Sequence, residues 1–534
     1  MKNLLAENKF QLLSIATIFL LFMASLFVRD SELKADLSAE QEWVSAHILI
    51  TNQVWDEGGG PSNYHFSPVY TYEGDGNKNI PCFGGVVDEN GDQYYVSYPP
   101  LAFLFSYYST KLLGGSSVYS LRAVSVILHF FCCLLLYLTF KKLQNQKGDF
   151  VSIAGLTAVA LYLFSAGTLW MHSILFFSDM LVQLFIIWML YLTVRIYKSE
   201  PSESKYFWIQ LSLIVFLASY TEWLAVFLSF TLGIGFLISH FKTKKKKFRT
   251  AFLLIGISSV ISVSTTIIQY SSIAGFEKFK NVSLNKYDER SGHQNAEVSA
   301  AGFNLENPDS FELLNKNLTR NFWMIENILA IVAIVFVLFL LWKKTRKEIK
   351  AIQLKVILLA AIVVAIFMHY YLFFNFNALH NFSNLKIGFL FIFIFSLIIL
   401  TMEEAITLKW KIILSVGIFF LLALKIPIEV DRFHAFCEEN YYADYYKKSA
   451  NFMKENCPKD SYAFTNLPYT LAEYIYRAEH IPFRIKDTSE VNFFMNYFEA
   501  ERAQYYHHDK IELVYVLDLE MENGQYKVIK KTNL

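Results

Sequence analysis

Hydrophobic and polar positions segregate along this chain in long blocks rather than at the short periods of a water-soluble protein. A bilayer-crossing helix needs about 20 mostly apolar residues. Stretches at 10–28, 117–140, 151–170, 174–194, 207–221, 223–240, 250–270, 326–342, 354–374, 385–402 and 410–426 meet or approach that length. The pattern predicts a mainly α-helical, multi-pass transmembrane bundle of about eleven spans. Loops within 151–194 and 207–240 are so short that two spans there can read as one long helix. The first stretch shows no small-residue cleavage site after Ala24–Val28, so it is expected to persist as a span.

Basic residues set the orientation, because Lys and Arg collect in cytoplasmic loops. With the N-terminus inside, the inner loops hold Lys141, Lys142 and Lys147, then Arg195, Lys198 and Lys205, then Lys242, Lys244–Lys247 and Arg249. They also hold Lys343, Lys344, Arg346, Lys347, Lys350 and Lys355, and finally Lys409 and Lys411. The short outer loops at 171–173, 219–222 and 375–384 hold none. Segments 29–116, roughly 271–325 and about 427–534 then face outward. The expected division is a transmembrane domain over 1–426 and a small extracytoplasmic α/β domain over 427–534. In the latter, Tyr445–Asn456 and Leu471–Arg477 read as helices, and Tyr462–Thr465, Ile481–Ile485 and Ile511–Leu517 as strands.

Composition agrees. The 534 residues are 54% hydrophobic and 17% aromatic, with only 18% charged, against about 25% charged in soluble proteins. Disorder, collagen and a disulfide scaffold are excluded. A net charge of +1 argues against a nucleic-acid partner. Cys132 and Cys133 fall inside a span, whereas Cys82, Cys437 and Cys457 face the oxidising side, where one disulfide is compatible but no pairing can be deduced. None of them has metal-site spacing.

The chemistry concentrates in the first outer segment. From Ser38 the sequence Ser-Ala-Glu40-Gln-Glu42-Trp43-Val-Ser-Ala46-His47 has helical periodicity, with Ser38 and Gln41 spaced as a capping box. Trp43, Ala46 and Leu49 or Ile50 make an apolar stripe suited to a helix lying on the membrane interface. Asp36, Glu40 and Glu42 would then stand at the bilayer boundary, where a carboxylate can act as a general base. The competing reading makes Glu40 and Glu42 a solvated helix face. Further on, Val86–Gln93 reads as a hairpin turning at Asn90-Gly91, and the segment closes on Tyr98-Pro99-Pro100-Leu101. The Asp88, Asn90, Asp92 spacing places its glycine wrongly for a calcium loop.

An acidic pair after the first span, followed by Pro-Pro-Leu, resembles the GT-C class of membrane glycosyltransferases. That class includes the protein O-mannosyltransferases and the lipid A aminoarabinose transferases. Glu42, Ala46, Ile48 and Tyr98–Leu101 match its pattern. So do Ser120-Leu121-Arg122 near the second span, and His172 with Ser178-Asp179-Met180-Leu181 before the fourth. Two positions depart from it. Gln41 stands where the class has its catalytic Asp, and Glu222 stands where many members have Lys.

The resemblance implies transfer of a sugar from a polyprenyl-phosphate donor to an extracytoplasmic lipid, glycan or protein. Glu42, Asp36 or Glu40 would be the base. The departing phosphate needs cations or donors, for which Arg122, Lys386 and His380 stand at span ends; Asp179 and Tyr98 complete the expected donor-binding set. Lys386 is the cation of an otherwise uncharged loop, although Lys and Arg also snorkel without further role. An Arg122–Asp179 pair would be the purely structural reading. The sequence assigns no cofactor, and a divalent cation is compatible. Membrane lipids are the remaining expected partners. The Phe-, Lys- and Asn-rich usage suggests an AT-rich bacterial genome and hence an inner membrane. Alternatives are a transporter or flippase, which needs a repeat that is not visible, and a surface-polysaccharide polymerase or ligase, whose decisive loop at 271–325 carries no motif. Gln41 also motivates a non-catalytic relative.

Overall fold

The computed structural model describes residues 2–37, 40–81, 84–144, 151–198, 204–292, 308–322, 349–405, 407–438, 443–467, 472–509 and 512–533. The expected span at 326–342, the Ser38 cap and Cys82 lie outside the described residues. The chain forms two compact units. One comprises 1–34, 122–265 and 287–438; the other comprises 35–121, 266–286 and 439–534.

The helices, in chain order, are α1 (Lys2–Lys34), α2 (Trp43–Glu57), α3 (Leu101–Leu112), α4 (Val118–Leu143), α5 (Ile153–Phe164), α6 (Ala166–Ile174), α7 (Ser178–Lys198), α8 (Lys205–Ser219), α9 (Trp223–Thr243) and α10 (Lys246–Ala274). There follow α11 (Phe276–Ser291), α12 (Pro308–Asn321), α13 (Ile349–Leu372), α14 (Phe374–Leu379), α15 (Leu385–Ala405), α16 (Leu408–Glu438), α17 (Ala443–Asn456), α18 (Ala472–Ala478) and α19 (Val491–Tyr497). Each apolar stretch within the described residues coincides with a helix. Eight are long and apolar enough to cross a membrane, and nine if the bent pair α5–α6 counts as one span. Eleven is not reached among the described residues: α8 has only 15 residues, and one stretch is not described.

Two carboxylates inside the first unit are consumed by helix ends. The chain bends 60° between α5 and α6, which leaves backbone N–H groups without intrahelical acceptors. Glu429 of α16 accepts from the amide of Ala166 at 2.7 Å and is held by Arg432 at 3.2 Å. Glu403 of α15 accepts from Ile153 and Ala154 at the start of α5, at 3.4 and 3.3 Å. Both sites place negative charge at the positive end of a helix dipole.

The second unit contains the hairpin β1 (Val86–Val87) and β2 (Gln93–Tyr94), with Val86 opposite Tyr94 and Gly91 at φ +85. Its sheet consists of β3 (Tyr462–Thr465), β4 (Pro482–Arg484), β5 (Arg502–Asp509), β6 (Glu512–Glu522) and β7 (Gln525–Asn533), in the order β4-β3-β5-β6-β7. The β4, β3 and β5 strands run parallel; β5, β6 and β7 form an antiparallel meander. Tyr446, Ala450 and Met453 of α17, Tyr474 and Ala478 of α18, and Ala463, Tyr506 and Val516 of the sheet share one core. The Gly74–Lys78 segment lies against this sheet: Gly76 donates to the Lys459 carbonyl at 3.2 Å, and Asn77 Oδ1 accepts from Ile481 at 2.8 Å. Gly74 has φ +104, and a Cβ there would stand 2.2 Å from the Lys459 carbonyl oxygen, so only glycine fits. Cys457 is a free thiol.

Candidate active site

The second unit brings the three acidic candidates to the entry of α2 and gives each a different environment. Glu42 immediately precedes the helix, is 0% exposed, and its carbonyl accepts from Ala46 at 3.0 Å. Gln41 before it has φ +64, a left-handed conformation that disfavours long side chains. Its Oε1 accepts from Trp43 Nε1 at 3.1 Å. Glu40 is half-buried in the preceding turn. Asp36 is engaged in ion pairs: Arg477 and Lys447 each reach its Oδ2 at 2.8 Å. Partial burial works to raise its pKa, but the hydrogen bonds from Arg477 and Lys447 outweigh burial and hold the carboxyl well below the usual range.

The α2 helix does not present an apolar stripe to a lipid surface. Every residue from Val44 to Asn52 is buried, so the stripe expected for an interfacial helix is protein core, and Glu42 is no solvated face. One neighbour is α3, where Ser106 donates to Asn52 at 3.3 Å and Tyr107 meets Trp55 edge-on at 5.4 Å. Pro99 and Pro100 set up the start of α3, where a missing N–H costs nothing. Tyr98 is buried, and its carbonyl accepts from Tyr270 at 2.5 Å. His47 stacks on Tyr95 at 5.6 Å. Burial, with the charge of Lys286 added, lowers its pKa to about 3, so the ring stays neutral.

The first unit gathers a second set. Asp179, in the first turn of α7, lies 3.9 Å from Lys386 of α15. Lys386 Nζ is 3.3 Å from His369 Nδ1, and His369 Nε2 is 2.9 Å from Glu222, which also caps α9 through the amide of Leu224 at 2.8 Å. A neutral His369 then accepts from Lys386 at Nδ1 and donates to Glu222 from Nε2. All four groups are buried, and two carboxylates face one ammonium. Among the described residues, Asp179 Oδ2 meets no hydrogen-bond partner.

The structural Arg122–Asp179 pair is not formed, because Asp179 pairs with Lys386. Arg122 instead donates to the carbonyl of Glu32 at 2.7 Å. His380 packs between Phe376 and Phe382, at 4.5 and 5.4 Å. Among the described residues, no group of three His, Cys, Asp or Glu side chains stands close enough to hold a metal ion.

No protein-family model matches the chain, and no curated protein matches it. Solved structures do. The archaeal oligosaccharyltransferase AglB of Archaeoglobus fulgidus, in complex with an inhibitory peptide and a dolichol-phosphate, aligns with TM-score 0.58 over 93% of this chain and 70% of its own, at 11% identity. ArnT of Cupriavidus metallidurans, bound to undecaprenyl phosphate, aligns with TM-score 0.53 over 96% of both chains, at 11% identity. The fold is that of the GT-C glycosyltransferases. Together with its apolar helices, it makes the chain an integral membrane protein.

Within this GT-C fold, several groups had no signal in the sequence. Arg29 of α1 is 0% exposed and reaches His129 at 3.5 Å and the Ser25 carbonyl at 3.0 Å. His129 stacks on His172 at 4.4 Å, and His172 meets the Tyr162 hydroxyl at 3.1 Å. Arg29 falls just beyond the apolar stretch that marks the first span. Glu473 sits in a short helix that carries no motif.

Proposed function

We propose that the protein is a membrane glycosyltransferase that moves a sugar from a polyprenyl-phosphate donor to an extracytoplasmic acceptor, with Glu42 as general base. The observation that carries this reading is a fully buried carboxylate at the entry of α2 in a chain with the GT-C fold. Burial without a solvent shell is costly for a carboxylate, and such sites concentrate where proton transfer is done. Asp36, held by Arg477 and Lys447, serves as an anchor, and half-buried Glu40 flanks the site.

In the reaction, Glu42 takes the proton of an acceptor hydroxyl. That oxygen bonds to the anomeric carbon, and the bond from this carbon to the lipid-phosphate oxygen breaks. The phosphate leaves with the electron pair. Arg122 and Lys386 are the candidate cations for its charge, and Tyr98, His380 and Asp179 remain candidate donor-binding groups; each is tested by its own substitution. The lipid phosphates bound by ArnT and AglB support a lipid-linked donor. The distribution of basic loops supports an N-terminus inside and a C-terminal domain outside, and the Phe-, Lys- and Asn-rich usage supports a bacterial inner membrane.

The test is incubation of purified protein in nanodiscs with a panel of polyprenyl-phosphate sugars and membrane-extract acceptors, following donor loss by mass spectrometry. Conversion of a donor to free lipid phosphate is expected. Binding of no donor would refute the reading.

A further inference from the structure

We infer that the groove between α8 and α10 is a binding site for an anionic glycerophospholipid of the surrounding bilayer, distinct from the sugar donor. The inference needs only an integral membrane protein, so it stands or falls apart from the transferase reading.

The groove has a closed end and an open end. α8, and α10 as far as Thr265, belong to the first unit. They meet where Ser219, the last residue of α8, faces Ser259, with the two hydroxyl oxygens 3.2 Å apart. Toward their N-termini the helices leave a groove of about 690 Å³ between them. Its walls are Trp208, Ser212 and Phe216 of α8 and Leu254, Ser258 and Ile261 of α10. α10 is long and apolar enough to cross a membrane, so the groove opens onto hydrocarbon, and a lipid chain is what fills it.

Charge selects the headgroup. Lys205 lines the end away from the serines. From Ser219 back to Lys205, and from Ser259 back to Lys246, is about 20 Å along each helix, so both walls end in a cation at a similar level. Lys247 shares the groove face of α10, because Lys247, Leu254 and Ile261 recur at seven-residue spacing, two helical turns apart. Lys242, Lys244, Lys245 and Arg249 flank the start of α10 in the sequence and, with these lysines, outnumber Glu200 and Glu203 ahead of α8. From Lys205 to Ala274 the sole acid is Glu222, which lies past the serine-closed end of α8. Trp208, one turn from Lys205, is the residue type that marks a membrane–water interface. A lipid with its chain between the helices and its phosphate at Lys205 and Lys247 satisfies both ends of the groove. A zwitterionic lipid brings its own ammonium to the same cations and gains less from them.

The test is photo-crosslinking of the full-length protein in nanodiscs with phosphatidylglycerol carrying a diazirine on its acyl chain. Labelled peptides are mapped by mass spectrometry in wild type, Lys205→Gln, Lys205→Gln/Lys247→Gln and Ser212→Trp. Label should concentrate on 208–216 and 254–261, and unlabelled phosphatidylglycerol should compete where phosphatidylcholine does not. Each lysine removed should weaken this competition about fivefold, and salt at about 1 M should erase the headgroup preference. Ser212→Trp fills the groove and should abolish the label with both lysines in place. Label spread evenly over the lipid-facing helices α10 and α16 would overturn the inference, as would equal competition by phosphatidylcholine. Stronger competition by undecaprenyl phosphate would assign the groove to the donor and overturn it too. Lys205 is exposed, so the lysine arms decide even if Ser212→Trp folds poorly.

Discussion

Replacing Asp36 by Asn keeps the side chain's shape and removes the charge that holds two cations. The Arg477 contact is the stronger, because that side chain is only 10% exposed; a hydrogen bond between charged partners contributes about 1.5–3 kcal/mol. Lys447 is 46% exposed, and such pairs contribute about 0–1 kcal/mol. Asp36 itself is 39% exposed, so solvent screening draws the sum toward the low end, about 2 kcal/mol. Asp36→Asn should therefore make local opening of α17 and α18 roughly 30-fold more frequent, read by hydrogen exchange of their amides. Turnover should fall less than about tenfold, since an anchor rather than a proton acceptor is lost. Unchanged exchange together with a loss of about 100-fold or more in turnover would refute the assignment and return the base role to Asp36.

Titration should bracket the docking of α18 from both sides. The depressed Asp36 carboxyl stabilises above the ordinary Asp pKa of about 3.9, and that contribution is lost as pH falls. The Glu473 carboxyl, raised by burial, acts in the opposite sense: its contribution is complete below about 4.3 and is lost as pH rises through about 7. Exchange protection of α18 should peak between these limits, and Glu473→Gln should flatten the alkaline side. Lys386→Met strands two buried carboxyls and should cost about 3–5 kcal/mol in thermal unfolding, with a second substitution, Asp179→Leu, recovering part of it. Glu429→Ala uncaps α6 and should destabilise by about 1–2 kcal/mol, seen as faster exchange at Ala166. Gly74→Ala sets a methyl against the Lys459 carbonyl and should cost about 2 kcal/mol or more, measured as a lowered melting temperature.

What could be read from the sequence depended on how local the cause was. The helices were legible because an apolar run longer than a bilayer has few other fates. Strand β3 was legible because its four residues are all buried and its ends are punctuated. The bend between α5 and α6 was not, since the carboxylate that caps it, Glu429, belongs to α16. Strands β5 and β7 were missed because β7 is exposed along nearly its whole length and carries lysines without alternation, and β5 mixes Tyr, His and Gln. Periodicity gave α2 its helix but not its surroundings: the same stripe suits a membrane face or a protein core, and here it is core. Glu42 and Asp179 were visible as motif positions. The burial of Glu42, the Lys386–His369–Glu222 chain beyond Asp179 and the turning of Arg477 to Asp36 required the folded chain.

The claim that Glu42 is the base is tested most directly by single-turnover donor consumption in wild type, Glu42→Gln and Glu40→Gln, with a donor that wild type accepts. Loss of about 10²–10⁴-fold in Glu42→Gln, with donor binding retained and Glu40→Gln close to wild type, is the predicted result. A Glu42→Gln protein that turns over donor at the wild-type rate would contradict it.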